Sequence, residues 1–164
     1  MARSRIQPAE IPPGEILTYY GDLASGAIRP EDVRIEALTF RAVIDQNGQI
    51  QFQSPKITVV SRYNFAFRGV WGQIVNAPVA AAGLVRFQVR EQGRSFDVFK
   101  QPVSFGAVIE NPYHWDGVYI TVPGTDLEVS WTVDTALWTT LVGQTRIVEV
   151  VLVGDYIACA PTQQ

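Results

Sequence analysis

Leu84-Val-Arg-Phe-Gln-Val-Arg90 alternates strictly from Val85 onward. Val85, Phe87 and Val89 fall on one side of an extended chain and Arg86, Gln88 and Arg90 on the other, because successive side chains of a strand point to opposite faces. A helix would scatter the same residues around its axis, so the stretch predicts a strand with one buried face and one wet face. Glu91-Gln-Gly-Arg94 turns the chain and Ser95–Phe99 returns it.

The same grammar extends in both directions. Ile35–Ile44 is rich in β-branched and aromatic residues and ends at Asp45-Gln-Asn-Gly48, whose Asn-Gly supplies the positive φ angles of a tight hairpin. Ile50-Gln-Phe-Gln53 is the return strand. Ile57–Tyr63 and Phe65–Gln73 read as a strand pair or one bent strand. The period of two puts Phe65, Phe67, Gly69 and Trp71 on one face, which assigns Trp71 to the core. Small, Pro-broken Asn76–Gly83 predicts a loop, Val103–Ile109 is an apolar run, and Asn111-Pro-Tyr-His-Trp-Asp-Gly117 predicts a second loop. Strands Val118–Val122 and Leu127–Val133 flank the turn Pro123-Gly-Thr-Asp126, with Leu127, Val129, Trp131 and Val133 on one core face. Thr135–Leu141 reads as a helical turn or a surface loop, and Thr145–Tyr156 closes the domain. About nine or ten short strands, joined by turns and with no long helix, predict an all-β protein built as a single antiparallel β-sandwich or barrel. No fixed-period repeat argues for a propeller or solenoid.

Composition narrows the chemistry. The chain has 164 residues, 47% hydrophobic and 18% charged, which fits one globular domain and not a disordered tail. A single cysteine, Cys159, cannot form an internal disulfide, and a single histidine, His114, removes most zinc sites. A net charge of -3 disfavours nucleic acid as a partner, since phosphate neutralisation needs a basic face. The longest apolar stretches, Val75–Val85 and Ile147–Val153, are too short for a membrane helix. No apolar segment follows the basic Met1–Ile6 stretch as it would in a secretory signal.

Residues 1–32 differ from the rest and are expected to form an extended N-terminal arm. Pro8, Pro12 and Pro13 suit a polyproline-like path and exclude a central strand. A frayed terminus is the plain reading. Ile6, Ile11, Ile16, Leu17, Tyr19 and Tyr20 make it too apolar for a free tail, and point to an arm lying across a neighbour. Residues 33–157 are the expected sandwich and residues 158–164 a C-terminal tail.

No catalytic pattern stands out. His114 lacks an identifiable nucleophile, and no Gly-x-Ser-x-Gly elbow exists. The carboxylates Asp97, Glu110, Asp116, Asp126, Glu128, Asp134, Glu149 and Asp155 are scattered singly, so no glycosidase pair or calcium loop is singled out. No phosphate-binding glycine loop is present. The expectation is a protein that is not an enzyme, with no cofactor, no metal and no catalytic residues. Among the aromatics, Trp71 and Trp131 carry core phase, whereas Trp115 and Trp138 fall in expected loops and are the candidates for an exposed platform or an interface anchor. Eleven of the thirteen basic residues are Arg. Arg is enriched and Lys depleted at protein interfaces, although a GC-rich genome would produce the same bias.

Four stretches carry a family resemblance: Val85-Arg-Phe-Gln-Val-Arg-Glu-Gln-Gly-Arg94, Phe99-Lys-Gln-Pro-Val-Ser-Phe-Gly106, Pro123-Gly-Thr-Asp-Leu-Glu-Val-Ser-Trp131 and Ile147-Val-Glu-Val-Val-Leu-Val-Gly-Asp-Tyr156. Over about residues 60–157 the chain resembles the β-sandwich of tailed-phage minor structural and capsid decoration (cement) proteins. The resemblance implies a jelly-roll-like sandwich, self-association around a symmetry axis with a trimer favoured, and attachment through an extended terminus. It implies the major capsid protein or other virion proteins as partners, and residence in the virion after synthesis in the host cytoplasm. Neither nucleic acid nor membrane is an expected partner. Ile6, Ile11, Tyr19 and Tyr20 of the arm, with Arg94, Tyr113, Trp115 and Trp138, are the expected contact residues. A phage tail, fibre or receptor-binding module and a carbohydrate-binding β-sandwich are the alternatives.

Overall fold

The computed structural model describes residues 33–60, 63–75, 79–92, 96–99, 101–109 and 113–158. The arm, Arg94 and the tail beyond residue 158 lie outside them. Ten strands follow in order: β1 (Val33–Ile44), β2 (Ile50–Gln53), β3 (Ile57–Thr58), β4 (Tyr63–Val75), β5 (Val85–Glu91), β6 (Phe96–Asp97), β7 (Val103–Ser104), β8 (Tyr113–Ile120), β9 (Asp126–Val133) and β10 (Arg146–Ala158). They form two antiparallel sheets, ordered β2-β1-β10-β4-β8 and β3-β9-β5-β6, with β7 also on β5.

The pairings nest. β1 pairs β10, β3 pairs β9, β4 pairs β8 and β5 pairs β6. Such a chain is one long antiparallel ribbon rolled up on itself. The contacts of β10 with β4 and of β9 with β5 weld the roll into two sheets. That is jelly-roll winding, a double-sheet solution to the edge-strand problem. β2 and β7 are additions to its eight strands.

Each sheet turns its alternating apolar set inward. Leu38, Phe40, Ala42 and Ile44 of β1 and Val148, Val150 and Leu152 of β10 meet Val85, Phe87 and Val89 of β5 and Leu127, Val129 and Trp131 of β9, all buried. Phe87, Phe99, Phe105 and Trp131 pack mainly edge-on, with centroids 5.9–6.4 Å apart. That geometry sets positive ring edges against negative ring faces. Gly72 lets this layer close: a Cβ there would lie 2.8 Å from both Phe105 and Val108. Gly72→Ala is therefore expected to cost roughly 1–3 kcal/mol by overpacking, read as a lower urea midpoint with an unchanged slope.

The structure corrects several expectations. Ile57–Thr58 and Tyr63–Val75 neither pair nor form one bent strand, because β3 joins β9 and β4 joins β10 in the other sheet. The expected loop at Asn111–Gly117 is largely strand, since β8 begins at Tyr113. Val103–Ile109 splits into β7 and a four-residue helix, Gly106–Ile109. Part of the expected Asn76–Gly83 loop is a 3-10 turn, Val79–Leu84. Of the two readings of Thr135–Leu141, the helical one holds: it is a helix capped by Asp134, whose carboxylate accepts from the Leu137 N–H.

Two tryptophans exchange roles. Trp138 is wholly buried, and its indole N–H donates to the Asp45 carbonyl at 2.8 Å. The helix carrying it lies over the β1–β2 hairpin, where Gly48, at φ 81°, leaves 3.0 Å between an added Cβ and Thr135. Trp138 is thus a core residue and not an interface anchor. Trp71, assigned to the core by its phase, is 43% exposed. The cause is a β-bulge. Val153 pairs Gly69 and Gly154 pairs Phe67, which leaves Arg68 as an extra residue of β4. One extra residue moves everything beyond it to the opposite face. Phe65 points inward before the bulge, and Val70 and Gly72 do so after it. Trp71 is turned out.

Candidate interface on the outer face of the larger sheet

The two outer faces of the sandwich differ in chemistry. On the sheet containing β5 and β9, Arg86 lies beside Thr132, Gln88 beside Ser130 and Arg90 beside Glu128. Ser104 flanks Arg86 and Asp97 flanks Arg90. This is the polar, solvated face expected of an antiparallel sheet.

The other outer face is built from β2, β1, β10 and β4, and reads across in rows. Ala37, Val153 and Gly69 form one row, and Thr39, Val151 and Trp71 the next. Arg41, Glu149 and Gln73 form the third; Phe52, Val43, Ile147 and Val75 the fourth. Ile35, 74% exposed, extends the face at the start of β1, and Phe52 is 51% exposed at its far corner. β10 supplies the reason: Ile147-Val-Glu-Val-Val-Leu-Val153 is apolar on both of its faces, the composition of a strand covered on both sides. At a strand spacing of ~4.8 Å and a rise of ~3.4 Å per residue, β1, β10 and β4 from Ala37 to Val43 span roughly 10 by 20 Å, and β2 widens the face only at its Val43 end. The exposed Ile35, Phe52, Trp71 and Val75 on it mark a candidate contact surface.

Asp155 stands opposite Ile35 at the start of the face, and a polar row crosses it farther on, its groups tied to one another. The Arg41 guanidinium donates to Glu149 Oε1 from Nε at 2.6 Å and from Nη2 at 2.5 Å. The Gln73 amide donates to Glu149 Oε2. Glu149 is almost fully buried beneath these two partners. A partner's apolar surface can cover the row without stranding a bare charge.

Two further carboxylates are held by specific partners. Glu91 accepts from the Tyr119 hydroxyl at 2.5 Å and from the Val122 N–H at 2.6 Å. With no exposed surface, it bolts β5 to β8 and the following turn. Lys56 and Thr58 both donate to Asp126 at the β3–β9 edge. Those hydrogen bonds hold the Asp126 carboxyl below its ordinary value, and Asp126 raises Lys56. Among the described residues no three His, Cys, Asp or Glu side chains converge as metal ligands would. No described helix is long and apolar enough to cross a membrane.

Of the expected contact residues, Ile6, Ile11, Tyr19, Tyr20 and Arg94 lie outside the described residues. Tyr113 is on β8 opposite Val70, and His114 is opposite Gly69. Trp115 begins a stretch of four β8 residues, 115–118, set against Arg68 alone. Trp138 is removed from the set by its burial. Trp71, Phe52 and the outward residues of β10 were missed. The doubly apolar pattern of β10 was the signal that could have found them. No protein-family model and no curated protein matches the chain.

Proposed function

We propose that the chain is a non-enzymatic virion structural protein, a capsid decoration protein that binds the outside of a phage shell and stabilises it through protein–protein contacts. The observation that carries the reading is the contrast between the outer faces: one polar, the other an apolar patch around Trp71 with its charges already paired. A shell-binding protein needs a rigid sandwich and an apolar contact face, and many such contacts repeated by symmetry reinforce one another through effective concentration. Jelly rolls serve many unrelated functions, so the face and not the winding supports the proposal, together with the family resemblance of residues 60–157. Self-association, with a trimer favoured, belongs to the same proposal.

The test is co-sedimentation of the purified chain with empty shells assembled from the major capsid protein of the same genome. Binding that saturates at a fixed number of copies per capsid subunit, raises the melting temperature of the shell and is lost in Trp71→Asp is the expected result. A chain that stays in the supernatant at micromolar concentration overturns the reading.

A further inference from the structure

We propose that copies of this chain meet one another through one end of the sandwich, formed by the helix Thr135–Leu141 and the β1–β2 turn, with Leu137 and Leu141 in the contact. The proposal rests on the self-association named above and supplies its surface. It leaves the Trp71 face free for the shell.

The two ends of the sandwich differ in charge. At the end where β1 begins and β10 closes stand the ion pairs Arg34–Glu36 and Lys56–Asp126. At the other end, residues 46–51, the 3-10 turn Val79–Leu84 and residues 135–145 carry no charge, although 18% of the chain is charged. These segments are neighbours. The Trp138 indole reaches the Asp45 carbonyl at the turn, and the Asp134 N–H donates to the Leu84 carbonyl at 2.9 Å.

Asp45, Asp134 and Arg146 border this end, each already engaged. The Asp45 carboxylate accepts from the Asn47 and Gln49 N–H groups and from the Gln51 amide at 2.8–2.9 Å. Asp134 caps the helix, and Arg146 donates to Gln144 at 2.9 Å. Within the helix the Thr139 and Thr140 hydroxyls donate to the Thr135 and Ala136 carbonyls at 2.9 and 3.0 Å, so covering it leaves them satisfied. Leu137 and Leu141 are 47% and 64% exposed, and their spacing of four puts them on one side of the helix. The core needs neither, because Trp138 fills it from the same helix.

The absence of charge selects the occupant. About a symmetry axis each residue comes near its own copy, so a charge there would face a like charge. The same holds for a two-fold and a three-fold axis. A different protein is recognised through complementary charges, which these three segments do not carry. An uncharged end with two exposed leucines therefore suits a second copy of this chain. A helix of seven residues is only about 10 Å long, which makes a contact far smaller than the ~800 Å² per partner of stable complexes. Self-association is weak in solution, and repetition on a shell reinforces it.

The test is the mass of the full-length chain by light scattering from about 1 to about 500 micromolar. The mass is expected to rise above the 18.2 kDa monomer in the upper part of that range. Leu137→Asp with Leu141→Asp should move the rise about ten-fold or more to higher concentration, and Leu137→Lys with Leu141→Lys should do the same. Mixing the two double variants should restore association, because opposite charges then meet. Trp71→Asp should leave the curve where it is. Circular dichroism checks that every variant keeps the sheet signal. A parent chain that stays monomeric throughout overturns the proposal, as do double variants that keep the parent's curve or a mixture that stays monomeric. A curve that moves with Trp71 instead places the contact on the outer sheet face and overturns it too. The Asp double variant retains Trp71, so its co-sedimentation with shells reports on the capsid reading alone.

Discussion

Trp138→Ala is expected to lower the unfolding free energy by roughly 3–5 kcal/mol, the usual loss for emptying a buried tryptophan site. The side chain has no exposed surface and joins the helix Thr135–Leu141 to the β1–β2 hairpin. Its loss removes the packing and also the indole donor held by the Asp45 carbonyl. For a chain of this length the melting temperature should drop by roughly 10 °C or more. Trp138→Phe separates the two contributions, because it keeps most of the apolar volume and removes only the indole donor; the Asp45 carbonyl still accepts from the Gly48 N–H, so the cost should be about 0.5–1.5 kcal/mol. Trp71→Ala is the counterpart. With a side chain half in water, it should change stability by less than about 1 kcal/mol in the isolated chain. If Trp138→Ala left the melting temperature unmoved and only weakened association, the anchor role assigned by sequence would be restored.

Deleting Phe67 together with Arg68 should have the largest effect of all. An unbroken period of two then puts residues 69–75 on the faces opposite to their present ones. Val70 and Ile74 would turn to solvent, while Trp71 and Gln73 would turn into a core that Gly72, Phe105 and Val108 leave no room to widen. Two aliphatic side chains exposed at ~1.5–3 kcal/mol each, and a buried amide without partners, together approach the whole stability of an ordinary domain. The expected outcome is loss of the cooperative urea transition. Deleting Arg68 alone is the control: it removes only the extra residue and leaves Phe67 and Gly69 opposite the consecutive residues Gly154 and Val153, so the faces stay as they are and the cooperative transition should be kept. A double-deletion variant that unfolds cooperatively near the original midpoint would show that the strand takes up the shift elsewhere.

Most strands were legible because their signals are local. Val85–Arg90 alternates, Asn47-Gly48 marks a hairpin, and Pro123-Gly124 marks a turn with Gly124 at φ 72°. Leu127–Val133 carries its buried face in its own phase. What escaped depends on partners far away in the chain. Asn111–Gly117 looks like a loop by composition, but from Tyr113 its backbone is recruited as an edge strand by β4. Tertiary pairing overrides weak local preference in this way. Trp138 stands in a seven-residue helix too short to separate a core face from a wet one by sequence, with Leu137 and Leu141 exposed beside it. Its burial comes from the hairpin it covers, about ninety residues earlier in the chain.

The candidate interface divides along the same line. Apolar residues on both faces of β10 can be read directly from Ile147–Val153, and they state that something must cover the second face. Which residues of β4 join them cannot be read, because a bulge is a property of the pairing between two strands and not of either alone. The alternation of side chains, the turn residues and the sparse charge therefore determined an antiparallel β-sandwich by themselves, since each acts over a few bonds. The jelly-roll winding, the burial of Trp138 and the outward turn of Trp71 were decided only when strands separated by tens of residues chose their neighbours and register.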